Sequence, residues 1–156
     1  MYQVLCVLMA MVAYGTAAGH CEMPQAGTTA ITFQSSTYSD FRQLLTGQAP
    51  TGTVTVRATL GFPEQEKKRY PAVIVVHAIS GYRDTNEGYV AAELRKAGFA
   101  TLTYDSFAAR GTTGRALSGS PGYLPPGVVD AYAALRWLSS DPRIDPDRIE
   151  IGRAHV

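Results

Sequence analysis

From Thr53 to Leu60 the chain alternates, with Val54, Val56, Ala58 and Leu60 set against Thr55, Arg57 and Thr59. A period of two puts the two sets on opposite faces, so this segment predicts a half-buried strand with one solvated face. The next apolar run does not alternate. Ala72 to Val76 is continuous, mostly β-branched, and bounded by Pro71 and Gly81, a pattern suited to a strand buried on both faces of a parallel sheet. It ends in His77-Ala-Ile-Ser-Gly81, which sets a polar group at the carboxyl end of the strand, where open α/β sheets collect ligands and catalytic loops. Between the two strands, Glu64 to Arg69 reads as a solvated turn.

The spacing then changes from two to that of a helix. Val90, Leu94 and Ala97 form one stripe, with Glu93, Arg95 and Lys96 on the wet side. Asp84 and Glu87 have capping-box spacing, and Gly98 stands where a left-handed residue stops a helix. Phe99 to Tyr104 predicts the following strand, so strand, helix and strand make a right-handed crossover in a parallel sheet. Asp105 to Gly127 is rich in Gly, Ser, Thr and Pro and predicts a long loop, of the functional or disordered kind. Ala131, Leu135 and Leu138, with Tyr132 and Trp137 beside them, predict a second helix ended by Asp141-Pro142. Pro146 leads to a last strand beginning at Asp147-Arg148-Ile149, expected beside Ala72–Val76. Upstream, residues 22–50 are polar and turn-rich, with a short alternation at Ile31 and Phe33 and helical spacing at Phe41, Leu44 and Leu45.

At 156 residues the chain is long enough for one domain with a real core. A formal net charge of +1 gives no field favouring nucleic acid or an anionic membrane, and no nucleic-acid motif interleaves aromatic and basic residues. Cys6 and Cys21 make neither a disulfide framework nor a zinc spacing, and no cofactor is expected. Val4 to Val12 is almost wholly apolar and is followed by Thr16-Ala-Ala-Gly19, a secretory signal pattern too short to span a bilayer, although Tyr2 and Gln3 carry no positive charge. The expectation is a periplasmic or secreted protein with residues 1–19 removed and no membrane span thereafter.

Specific words then join these elements. Val75-Val-His-Ala-Ile-Ser-Gly81, Tyr104-Asp-Ser-Phe-Ala-Ala-Arg-Gly111, Asp130-Ala-Tyr-Ala-Ala-Leu-Arg-Trp-Leu138 and Ile144-Asp-Pro-Asp-Arg-Ile149 resemble the dienelactone hydrolase family of the α/β-hydrolases. The resemblance implies an α/β fold, the N-terminal portion of a mostly parallel sheet with helices on both faces. Residues 20–52 then read as an N-terminal extension, 53–150 as a partial α/β-hydrolase domain, and 151–156 as a non-native tail. Ile151-Gly-Arg-Ala-His-Val156 matches one reading frame of a common sequencing adapter, so the natural gene is expected to continue past Glu150.

The same resemblance implies chemistry. The Ile79 N–H would be one oxyanion-hole donor, the residue after the nucleophile supplying the other. Ala78 stands where the founding enzymes carry a glutamate, which puts their activation of a cysteine nucleophile in doubt. His77 lines the site or braces the turn by a side-chain hydrogen bond. Arg110 either meets a substrate carboxylate as a charged fork or is a solvated loop residue. Ser80, Ser106, Ser118 and Ser120 lie in no G-x-S-x-G turn and are not read as nucleophiles. If Gly152 is the elbow glycine, Ala154 holds the nucleophile's place, and the acid and histidine would follow Val156; His155 is too close to serve. The implied activity is hydrolysis of a small ester or lactone through an acyl-enzyme, with a non-catalytic binding module or a degenerate hydrolase as the alternative. A dinucleotide-binding domain is disfavoured because Gly81 and Gly88 do not make G-x-G-x-x-G, and no P-loop word occurs.

Overall fold

The computed structural model describes residues 27–117, 119–120 and 124–153; the expected signal segment, Cys6, Cys21, Ser118, Ala154 and His155 lie outside them. Five strands form one sheet in the order β1-β2-β4-β3-β5. They are β1 (Gly27–Thr37), β2 (Gly52–Phe62), β3 (Tyr70–Val76), β4 (Ala100–Tyr104) and β5 (Ile144–Arg153). β1 and β2, and β2 and β4, pair antiparallel, whereas β3 lies parallel between β4 and β5. The continuous apolar run is thus the central parallel strand, and the last strand sits beside it as expected. No helix among the described residues is long and apolar enough to cross a membrane.

A short helix α1 (Phe41–Leu45) follows β1, and longer helices cover both faces of the sheet. α4 (Pro125–Ser139) packs Ala134 and Leu138 onto Val56, Leu60, Ile74 and Leu102. On the opposite face α2 (Tyr89–Lys96) sets Ala91, Val90 and Leu94 on Val73 and Val75. Alternate residues of β3 therefore feed two different cores, which is why its pattern shows no alternation. Gly98 follows α2 with φ +91°, the left-handed stop expected there.

The structure refines five expectations. The boundary at Thr53 cuts through a hairpin, because β1 pairs along its full length with β2, from Gly27 opposite Phe62 to Thr37 opposite Gly52. The strand was hard to read because Phe33 is its one fully apolar buried side chain and its next inward position is Ser35. The capping box is only half formed. Asp84–Gly88 is a π-helical turn whose N-cap is Arg83, and the Asp84 carboxylate accepts from the Tyr82 hydroxyl at 2.9 Å instead of capping. The long loop is shorter than its composition suggests. It holds a 3₁₀ turn at Ala108–Arg110 and α3 (Gly114–Leu117), and α4 already starts at Pro125, where a missing N–H is harmless. The buried stripe of α4 runs through Ala131, Ala134 and Leu138, with Leu135 only partly covered. Ile151 to Arg153, assigned to a tail, pair in register with Ile74 to Val76.

Candidate functional site

β3 delivers the His77–Gly81 loop to the carboxyl end of the parallel strands, between the ends of β4 and β5. His77 is buried there with its ring 4.9 Å from that of Phe107. The Ser106 N–H donates to His77 Nε2 at 3.0 Å, so that nitrogen carries no proton. Nδ1–H is then the donor to the Ala78 carbonyl at 2.7 Å. Asp105 Oδ1 lies 3.8 Å from Nε2, beyond hydrogen-bond reach, and accepts instead from the Phe107 and Ala108 N–H groups at 2.9 and 3.0 Å. The hydrogen bonds of His77 are those of a brace, and the same residue lines the cavity described below.

The brace acts on one peptide unit. The Ala78 carbonyl accepts from His77 Nδ1 and also from the Gly81 N–H at 3.0 Å, which closes a tight turn over Ile79 and Ser80. Gly81 ends that turn at φ +83°, a conformation open to glycine, with Asp105 Oδ2 only 3.6 Å from where a side chain would begin. With its oxygen held by two donors, the Ala78–Ile79 peptide cannot rotate without losing both. Its N–H, trans to that oxygen, points the opposite way. Among the described residues no hydrogen bond engages the Ile79 N–H.

Two further residues fix the loop, and neither was found from sequence. Glu87 is fully buried, and its carboxylate accepts from the Ala78 N–H at 3.3 Å and the Arg83 N–H at 2.8 Å. It ties the two ends of the loop together. A glutamate therefore does reach Ala78, but from the π-helical turn and not from position 78 itself. Its spacing from Asp84 had suggested a cap, and it does bond the N-cap N–H of Arg83; its reach to Ala78 has no sequence signal. Gly114 presses on the other side, where an added Cβ would lie 1.8 Å from the Ile79 carbonyl oxygen. At the loop's exit the Tyr82 hydroxyl has a raised pKa, chiefly from burial and then from its hydrogen bond to Asp84.

Ala78, Ile79, His77 and Val76 line a cavity of about 290 Å³ completed by Phe41, Phe107, Leu124, Gly127, Val128 and Arg153. Arg110 is not among them, which corrects the expectation that it lines the site. Its guanidinium is buried against Asp130, with contacts of 2.8 and 2.9 Å, and also donates to the Ser106 and Ser36 carbonyls. Ser106 stands next to His77 and Asp105, yet its hydroxyl is wholly buried and both ring nitrogens of His77 are engaged by backbone, so these three do not make a triad. Ser80 is exposed. Among the described residues no group of three or more His, Cys, Asp or Glu could hold a metal ion.

No family model and no curated protein sequence matches the chain. Solved structures do. A protein assigned as a dienelactone hydrolase from Klebsiella pneumoniae superposes with TM-score 0.53 at 16% identity, over 80% of this chain and 50% of that one. A dienelactone hydrolase-like promiscuous phosphotriesterase from metagenomic libraries gives 0.51 at 18%, over 81% and 48%. A hyperthermophilic esterase from the archaeon Pyrobaculum calidifontis gives 0.53 at 18%, over 84% and 36%. The chain has the α/β-hydrolase fold. It spans half or less of the length of these hydrolase-fold structures.

Proposed function

We propose that the protein is an ester hydrolase of the dienelactone hydrolase type, in which the Ile79 N–H is a preformed oxyanion-hole donor. The observation that carries this reading is the Ala78–Ile79 peptide, its carbonyl fixed by two donors and its N–H without a partner among the described residues, beside the cavity. Attack on an ester turns a carbonyl oxygen into an oxyanion, and a donor fixed in advance stabilises that charge without reorganising. In a polar, water-filled loop the same N–H would have to be reoriented in each turnover. On this reading the nucleophile, acid and base of acyl transfer, and the activation of the water that releases the acyl group, would be supplied from outside the described residues. The described residues thus contribute the electrostatic half of the site and much of the substrate cavity.

Ile79→Pro tests the reading, because it deletes the donor at a turn position that accepts proline. In the full-length protein it should lower kcat for a small activated ester by about 10²–10³, with the fold retained by circular dichroism. Unchanged kcat would remove Ile79 from the mechanism. Ester binding with no turnover in the full-length protein would favour the binding-module alternative.

A further inference from the structure

We infer that the cavity receives the apolar acyl chain of a neutral ester and discriminates against esters or lactones that carry a carboxylate. This rests on the hydrolase reading above and narrows its substrate. The cavity that Ile79 lines is walled by Val76, Phe107, Phe41, Leu124 and Val128, all apolar. His77, the polar residue among them, has both ring nitrogens engaged by backbone groups and so offers a ligand no free donor or acceptor.

The cation that the resemblance assigned to a substrate carboxylate is out of reach. The side chain of Arg110 is 8% exposed and held by the fully buried Asp130. Freeing it would leave a buried carboxylate unpaired, so it is not a mobile substrate clamp. The lining cation is Arg153, which is exposed, and its charge is screened by water. A carboxylate carried into the cavity would lose hydration with little in return.

The apolar surface also extends beyond the cavity. Leu124, Val128 and Tyr132 follow one another at four-residue spacing at the start of α4, with 58%, 39% and 58% of their surfaces exposed. Residues at that spacing share one helix face. They form a track leading outward from the cavity mouth, on which the far end of a longer acyl chain can lie.

Two matched carbonyl compounds test this without any turnover: octan-2-one, and 7-oxooctanoate, in which a carboxylate replaces the terminal methyl. Binding to the isotope-labelled chain is followed by amide shifts. Octan-2-one should perturb Ile79, Phe107 and Val128, and 7-oxooctanoate should bind at least tenfold more weakly. Gly127→Phe should abolish ketone binding and Gly127→Ala should keep it, since a Cβ there meets nothing within 4 Å. Equal or tighter binding of 7-oxooctanoate overturns the inference, as does failure of both compounds to bind. If both shift Ile79 but the carboxylate binds better, the hydrolase reading stands and the inference falls. If octan-2-one binds better while Ile79 stays silent, the apolar preference stands and the oxyanion role falls.

Discussion

Glu87 and Asp130 are both carboxylates with no exposed surface, and they solve burial in different ways. Asp130, on α4, meets a guanidinium and a hydroxyl: Arg110 donates to both of its oxygens and Ser35 donates to one. The arrangement joins α4, β1 and the turn after β4 into one unit. Its charge still acts on Tyr104, whose hydroxyl pKa is pushed far up by burial and, second, by Asp130. Among the described residues Glu87 has no cation within reach of a hydrogen bond. It holds only the N–H groups of Ala78 and Arg83, at the two ends of the loop that carries Ile79. A buried ion pair ties elements together, whereas a carboxylate bonded to backbone alone fixes the path of one loop. The first serves the whole fold and the second a single loop.

That contrast predicts a different outcome for each residue. Asp130→Ala should cost about 3–5 kcal/mol in denaturant unfolding, because Arg110 is left charged and buried without a partner. Replacing both residues by leucine should cost less than that single change, and a double-mutant cycle measures the coupling. If the double replacement is the more damaging, the pair is more than a matched burial of charges. Glu87→Ala should cost about 1–3 kcal/mol, the penalty of leaving buried donors unpaired. Its signature is local: amide exchange at Ala78 and Arg83 should quicken while Leu102 and Ile74 in the core stay protected. Uniform acceleration across the sheet would make Glu87 a second general lock and erase the distinction.

Gly114 probes the same loop from the opposite side. Gly114→Ala places a methyl group 1.8 Å from the Ile79 carbonyl oxygen, so one of the two backbones must move. The expected cost is about 1–3 kcal/mol, as for other overpacked sites, with the amide signal of Ile79 displaced. An unmoved Ile79 signal with full stability would show that the 111–117 segment yields and that Glu87 and His77 alone set the loop.

The parallel core was legible because its determinants are local: Ala72–Val76 is apolar throughout, and Val90, Leu94 and Gly98 mark a helix and its end. The four residues discussed above were not, for physical reasons. Asp130 lies in a helix whose neighbours read as an ordinary amphipathic stripe, and only its pairing with Arg110, twenty positions away, makes burial tolerable. Arg110 itself lay in a loop that composition marks as solvated. Glu87 was read as half of a cap, because a carboxylate that accepts from its own turn and one that reaches a strand end share the same spacing. β1 shows only the short Ile31 and Phe33 alternation in sequence because its inward Ser35 is polar and becomes a core residue only through Asp130. The role proposed for Ile79 followed from resemblance; the two bonds that immobilise its peptide needed coordinates.

A third carboxylate sets the lower end of the comparison. Asp141, in the turn between α4 and β5, is bonded by the Arg143 side chain at 2.9 and 2.6 Å and by its N–H at 3.0 Å. Here the cation is more than a third exposed, so solvent screens the pair. Burial works against ionisation of Asp141, but the hydrogen bonds from Arg143 and then its charge outweigh it and hold the carboxyl below its usual 3.8. Because the folded value is the lower one, the stabilisation is complete above the unfolded value and is lost as pH falls through the depressed folded value. Asp141→Asn should therefore lower stability by only about 0.2–1 kcal/mol at neutral pH. The deficit should shrink as the pH is taken below 3.8, where the wild-type carboxyl also becomes neutral. Urea midpoints of both proteins at neutral and strongly acidic pH measure it. A deficit as large as that of Asp130→Ala, or one that persists unchanged in acid, would show that charge pairing at the surface matters as much here as pairing in the core.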